Sequence, residues 1–154
     1  MDQRNESTEL THKHIHQFQQ TQMEGETHAS KQIGTLISTK DASGKPEYTF
    51  SSYQEYLHTC PDFELIDFTL RGDRNAFEVL VERYRSSIYA LAFRMLRNHE
   101  DAADISQDVF FKAYEALGTF KKKSSFHTWL YRIATNSCIN YLRKYNVQQQ
   151  IELA

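Results

Sequence analysis

The stretch DRNAFEVLVERYRSSIYALAFRMLR, residues 73–97, decides the fold class. Its apolar side chains recur every three or four residues, and neither Gly nor Pro interrupts it. A helical turn takes 3.6 residues, so this spacing predicts one long α-helix with a buried stripe, and Asp73 can cap its first turn. The residues of the stripe are Phe77, Leu80, Val81, Tyr84, Ile88, Leu91, Ala92 and Met95.

Three further helices are predicted around this one. A short helix can start at Pro61 and stop at Gly72, a third can end at Gly118, and Ser124 or Ser125 can cap a fourth. The sequence therefore predicts an all-α fold, a compact helical bundle of about four helices. The inward-facing positions, in chain order, are Phe63, Ile66 and Leu70, then Ile105, Val109, Ala113 and Leu117, then Phe126, Leu130, Ile133, Ala134, Ser137 and Tyr141.

Composition divides the chain into three parts. Residues 1–58 are rich in Gln, Thr, Ser, His and Lys and can bury little apolar surface, so we predict a largely disordered or loosely structured extension. Within it, KQIGTLIST could form a short strand. The helical domain is assigned to residues 59–145. Residues 146–154 are assigned to the start of a truncated interdomain linker.

Several function classes find little support. The chain has no run of eighteen apolar residues and no signal-like start, which predicts a cytoplasmic protein without membrane insertion. Cys60 and Cys138 have no metal-ligand spacing, and no Gly-rich phosphate loop or paired nucleophile and base occurs, so we expect no enzyme, cofactor or metal site. The alternating His12, His14 and His16 leave metal binding as a minor alternative, because nothing nearby completes a ligand set.

Charge separates along the predicted bundle. Residues 61–117 contain seven Lys and Arg against eleven Asp and Glu, whereas residues 118–145 contain six basic residues and no acid. A basic segment with interleaved aromatic residues is typical of nucleic-acid binding. Away from the core face of the last helix, a stripe at steps of three and four carries Trp129, Arg132, Asn136, Asn140 and Arg143, with Lys144 beside the last.

Each residue type in this stripe suits one part of a nucleic acid. Arg and Lys would neutralise phosphates, Asn would hydrogen-bond to base edges, and Trp would stack on an unpaired base. The alternative is that Trp129 belongs to the core and that the lysines of the preceding loop form an ordinary solvated turn. Spacing alone does not separate these readings.

Three motifs, GDRNAFEVLVERY, DAADISQDVF and FHTWLYRIATN, follow one another in residues 62–145. Together they resemble region 2 of a bacterial sigma factor of the extracytoplasmic-function group. The resemblance implies a subunit, not an enzyme, that binds core RNA polymerase and recognises and melts the promoter -10 element. It also implies a second domain that reads the -35 element. We expect that domain to be absent here, because the chain stops at NVQQQIELA.

The resemblance assigns roles to individual segments. The helix matching DAADISQDVFFKAY would dock on a coiled coil of the largest polymerase subunit, through Asp101, Asp104, Gln107, Asp108 and Phe110. The loop over residues 118–126 would capture a base flipped from the non-template strand, with Phe120, Lys121, Lys122, Lys123, Ser124 and Ser125 as candidate contacts. The last helix would read the -10 DNA, and Asn136 is the best candidate for a contact with a base.

Two alternatives remain open at this point. The same residues could form a docking or decoy module that occupies polymerase, or an anti-sigma protein, without opening promoters. Housekeeping sigma factors have two adjacent aromatic residues as a melting wedge, whereas Leu130 follows Trp129 here. If the chain opens promoters, we therefore expect weak and promoter-restricted opening.

Overall fold

The computed structural model describes Ala42 and residues 50–154, and it divides the chain into two compact units between Val79 and Leu80. The described residues form helices and contain no strand, which confirms the predicted all-α fold. In chain order the elements are α1 (Phe50–Thr59), α2 (Asp62–Leu70), α3 (Arg74–Leu96), α4 (His99–Ala116), a 3-10 turn (Leu117–Thr119) and α5 (Phe126–Leu153).

The first unit contains α1, α2 and the first turns of α3. Gly72 adopts φ 100° between α2 and α3, a backbone conformation that favours glycine. Asp73 then caps α3 as predicted, because its Oδ1 accepts a hydrogen bond of 3.0 Å from the backbone N–H of Asn75. Its Oδ2 accepts a second hydrogen bond from the hydroxyl of Tyr53 in α1. A buried carboxylate thus ties α1 to the start of α3.

The buried face of α2 also differs from the prediction. Phe63 and Leu70 are exposed, and the buried side chains of this helix are Leu65, Ile66 and Thr69. The hydroxyl of Thr69 donates to the carbonyl oxygen of Leu65 at 2.7 Å, so its polar group is satisfied inside the helix. This bond explains how a Thr can occupy a buried position of α2.

Helices extend beyond the predicted domain boundaries at both ends. α1 lies within the segment 1–58, and its Tyr53 and Leu57, four residues apart, are buried. The other predictions made for that segment, including the short strand and the histidine alternative, lie outside the described residues. α5 continues to Leu153, through the segment assigned to a linker. Gln, Glu and Leu favour helix there, and neither Gly nor Pro interrupts it.

The second unit packs α4 and α5 against the later turns of α3. Small side chains, Ala92 of α3, Ala102 of α4 and Cys138 of α5, form one buried cluster, which allows the three helices to approach closely. Burial raises the pKa of the Cys138 thiol, so this cysteine is a small apolar core residue. Larger side chains that are fully buried in the same unit include Leu80, Ile88, Val109, Leu117 and Leu130.

Candidate functional site

The loop before α5 concentrates positive charge. Lys121, Lys122 and Lys123 are all exposed. The side chain of Ser125 caps α5 by accepting a hydrogen bond of 3.1 Å from the backbone N–H of Thr128. The first turn of α5 contains no acid, so the positive end of the helix dipole is not neutralised by a side-chain carboxylate of that turn. Three ammonium groups therefore directly precede a helix N-terminus that itself attracts anions.

Three aromatic rings pack around the start of α5. The ring of Phe120 lies 6.0 Å from that of Phe126 and 5.3 Å from that of Trp129, and Phe126 and Trp129 are 5.7 Å apart, measured between centroids. Phe126 is buried, whereas Phe120 and Trp129 are half-buried. Neither sequence interpretation of Trp129 holds alone, because the indole is packed on one side and open on the other. Such a fixed ring can serve as a stacking platform for a base.

A second aromatic contact fixes the first two turns of α5 on α3. The rings of His127 and Tyr131 are 4.1 Å apart, and the hydroxyl of Tyr131 donates to the carbonyl oxygen of Ser87 at 3.4 Å. The ring of Tyr84 lies 5.5 Å from Phe126 and 5.8 Å from His127. Sequence reasoning did not select His127 and Tyr131, although their spacing of four residues on a helix was a usable signal.

The predicted stripe on α5 is exposed beyond the half-buried Trp129. Arg132, Asn136, Asn140, Arg143 and Lys144 all lie on the surface, while Leu130, Ala134 and Cys138 of the same helix are buried. At 1.5 Å per residue, the stripe from Trp129 to Arg143 is about 21 Å long. α5 thus offers aromatic, amide and guanidinium groups on one side, next to the cationic loop.

The polar residues of α4 that were predicted to dock on polymerase fall into two groups. Asp104 and Gln107 are exposed. Asp101 and Asp108 lie on the flank nearest α5. A hydrogen bond with the Asp101 carboxylate raises the pKa of the Tyr141 hydroxyl. Lys112 connects Asp108 to α5, because its Nζ lies 2.6 Å from Asp108 Oδ2 and 3.2 Å from the Oγ of Ser137 in α5.

The two neighbouring phenylalanines of α4 point to different environments. Phe110, which was predicted as a docking residue, is only 9% exposed, whereas Phe111 is 62% exposed. Phe111 continues the line of Asp104 and Gln107 at a step of four, and Tyr114 follows at a step of three. Sequence reasoning missed Phe111. Its position two residues beyond Val109, about 200° around the helix from the buried stripe, was the signal that could have identified it.

Neither a metal-ligand cluster nor a membrane-spanning helix occurs in the part of the chain that the structure describes. Among residues 50–154, no three His, Cys, Asp or Glu side chains come together so that they could hold a metal ion. Within the same range, the helices are too short or too polar to span a lipid bilayer.

Comparison with known proteins gives a consistent match to this region. The family profile Sigma-70 region 2 matches residues 80–147. The RNA polymerase sigma-H factor of Pseudomonas aeruginosa is 44% identical over 81 residues, which are 53% of this chain and 42% of that protein. The ECF sigma-E factor of Escherichia coli is 43% identical over 81 residues, with the same coverage, and the ECF sigma factor SigW of Bacillus subtilis is 46% identical over 74 residues, 48% of this chain and 40% of its own. The chain thus spans less than half the length of these relatives.

A solved structure agrees with these sequence matches. It is an NMR structure of the complex formed by an engineered region 2 of sigmaE with GTAAAA, 38% identical to this chain, with a TM-score of 0.54. The match covers 58% of this chain and 93% of that one, so nearly the whole of the compared domain has its counterpart here. The family match over residues 80–147 includes α4, the loop and most of α5. The chain belongs to the sigma-70 region 2 family, and the relatives that it matches are bacterial sigma factors of the ECF group.

Proposed function

We propose that this domain binds core RNA polymerase and recognises and opens the -10 element of promoters. The observation that carries the proposal is the arrangement at the start of α5, where a half-buried Trp129 stands between a loop of three lysines and a helix face of Arg and Asn. This arrangement occurs in a domain whose engineered relative was solved in complex with GTAAAA.

The non-template strand would follow the loop and α5. Lys121, Lys122 and Lys123 would neutralise phosphates of the displaced strand, and an unpaired base would stack near Trp129. Flipping a base costs a few kcal/mol of pairing and stacking, and stacking on an aromatic ring returns about 1–3 kcal/mol. These amounts are comparable, so opening depends on the promoter sequence. The exposed Asn136 can both donate to and accept from a base edge, which suits a specifying contact.

The polymerase would bind on α4. Asp104 and Gln107 present a carboxylate and an amide on the exposed side of this helix, a chemistry that suits a partner helix bearing Arg, such as the coiled coil of the largest polymerase subunit. Asp101 and Asp108 would contribute from the flank. The role requires no catalytic group, and the chain would act with polymerase in the cytoplasm. An anti-sigma protein would regulate it by covering the same surfaces.

The test joins both halves of the proposal in one complex. Core polymerase is captured with the 154-residue chain, and 2-aminopurine in the -10 strand of a promoter then reports opening. We expect polymerase to bind and the probe to brighten. Reversing the charge of the stripe, Arg132→Glu with Arg143→Glu, should remove opening and leave polymerase binding intact. The matched control reverses two exposed arginines of the first unit, Arg71→Glu with Arg74→Glu, and should open normally.

Each contrary result has a distinct meaning. If polymerase binds but the probe stays dark, even with single-stranded -10 DNA supplied, the chain is a docking or decoy module. If the Arg132 and Arg143 reversals open the promoter as well as the unaltered chain does, the assignment of the α5 stripe to DNA is refuted. If polymerase is not captured at all, the assignment of α4 fails.

A further inference from the structure

We infer that Phe111 is the apolar anchor of the docking surface on α4, and that the partner helix must therefore offer an apolar socket beside its basic side chains. This inference rests on the proposed function, because it concerns the same contact with polymerase. It adds a residue that neither the motif nor the charge pattern identified.

The exposure of Phe111 is unusual for its position. The ring lies in the fourth turn of an eighteen-residue helix that buries Ala102, Val109 and Ala113 on another side, and 62% of its surface is open to solvent. The adjacent Phe110 is only 9% exposed and supplies the phenylalanine that α4 packs into the core. Phe111 is therefore not required to complete the core. Exposed aromatic residues also occur elsewhere, but Phe111 and Tyr114 share one helix face with acidic side chains, and aromatic residues are enriched in the cores of protein interfaces.

The surroundings of Phe111 define the partner. Gln107 lies one turn and Asp104 two turns before it on the same line, and the half-exposed ring of Tyr114 lies one turn after it. An apolar centre with a polar rim is the usual arrangement of an energetic hot spot. α4 contains five acids and one Lys, and that Lys is paired with Asp108. The partner that fits is a helix with an aliphatic side chain about two turns from an Arg or Lys, the separation of Phe111 and Asp104 on α4.

The rim carries unequal charge. Asp108 is already within 2.6 Å of the Lys112 ammonium, so a basic partner gains less from it than from Asp104. Asp104 is then the main electrostatic contact and Phe111 the main apolar one. The two contributions differ in their response to salt, because ionic strength screens an exposed charge pair and leaves apolar burial nearly unchanged.

The experiment measures the affinity of the full chain for core polymerase over a range of salt concentrations. Phe111→Ala should weaken binding about 10- to 50-fold, without changing the thermal midpoint or the salt dependence. Phe111→Leu should recover most of the loss. Asp104→Ala should weaken binding and also reduce the salt dependence. Phe63→Ala is the matched control, because Phe63 is 53% exposed in the first unit, and it should bind within twofold of the unaltered chain.

The outcomes separate the inference from the proposed function. If the unaltered chain does not bind polymerase, the proposed function itself fails. If it binds, and Asp104→Ala weakens it while Phe111→Ala stays within twofold, the anchor is refuted and the docking helix stands. Should Phe111→Ala alter folding, Phe111→Gln keeps a long side chain and a good helix former at the position. Binding by that variant within twofold overturns the inference equally.

Discussion

Replacing Tyr53 with Phe is the sharpest test of how the first unit is held together. The hydroxyl of Tyr53 donates to the Asp73 carboxylate, and the two residues are only 4% and 3% exposed. Burial, followed by the hydrogen bond with Asp73, raises the pKa of Tyr53 beyond its ordinary range, so the phenol stays protonated and remains a donor. The substitution removes one oxygen atom and leaves no sizeable cavity. Of the two hydrogen bonds to Asp73 described above, the one from the backbone N–H of Asn75, at 3.0 Å, remains.

The magnitude follows from the charge and burial of the acceptor. A hydrogen bond to a charged group contributes about 1.5–3 kcal/mol, so Tyr53→Phe should lower the free energy of unfolding by about 2 kcal/mol. For a folded region of this size, each kcal/mol lost from the free energy of unfolding lowers the thermal midpoint by about 4 °C, so we expect a decrease of about 8 °C. Urea unfolding followed by circular dichroism at 222 nm measures the first quantity, and thermal unfolding the second. The control is Tyr145→Phe, in an exposed tyrosine whose hydroxyl accepts from Gln149, and it should change stability by less than about 0.5 kcal/mol.

The pH dependence has a definite sign. Because the pKa of Tyr53 is raised in the folded state, its contribution is fully present below the unfolded pKa of about 10 and is lost only as pH rises above that value. The difference in free energy of unfolding between the unaltered chain and Tyr53→Phe should therefore be constant between about pH 6 and pH 9. If Tyr53→Phe is no less stable than Tyr145→Phe, the buried hydrogen bond does not hold α1 in place, and the reasoning is refuted.

Two further predictions concern nucleic acid. Asn136→Ala should reduce affinity for a single-stranded -10 oligonucleotide about 5- to 30-fold through the loss of a contact worth about 1–2 kcal/mol. The control Asn146→Ala, in an exposed residue beyond the C-terminal end of the stripe, should leave affinity unchanged; fluorescence anisotropy measures both, and equal losses would refute the assignment. Changing the three lysines at 121–123 to Ala should lower the slope of log affinity against log salt by about 2, since each phosphate contact on a single strand contributes about 0.7, and an unchanged slope would place the strand elsewhere.

The helices of the second unit were predictable because their apolar residues keep helical spacing over many turns. α3, α4 and α5 each bury the side of the helix that the spacing indicated, with Ile88, Val109 and Leu130 as examples. α1 was missed because its buried Tyr53 and Leu57 stand in a polar stretch, where composition outweighs two side chains. The partner of the Tyr53 hydroxyl is Asp73, twenty residues further along the chain, and the pattern within the helix does not reveal so distant a contact.

The candidate site was predictable in its residue types and less so in their arrangement. Charge and spacing identified Trp129, Arg132 and Asn136, because an exposed helical stripe is a property of one helix. The division of the α4 acids was not accessible, since the links from Lys112 to Ser137 and from Asp101 to Tyr141 depend on how two helices pack. The pair of Asp108 with Lys112 lies within α4 at i,i+4, but the bonds to Ser137 and Tyr141 are set by the packing of α4 against α5.

The capped, acid-free start of α5 has a consequence for the conditions under which the domain can work. Part of the positive potential at this corner comes from the backbone N–H dipoles of the first helical turn, and the rest comes from the three lysines of the preceding loop. No single side-chain replacement can therefore remove it. Dissolved ions screen both contributions, so the binding of a polyanion to this corner will weaken as ionic strength rises.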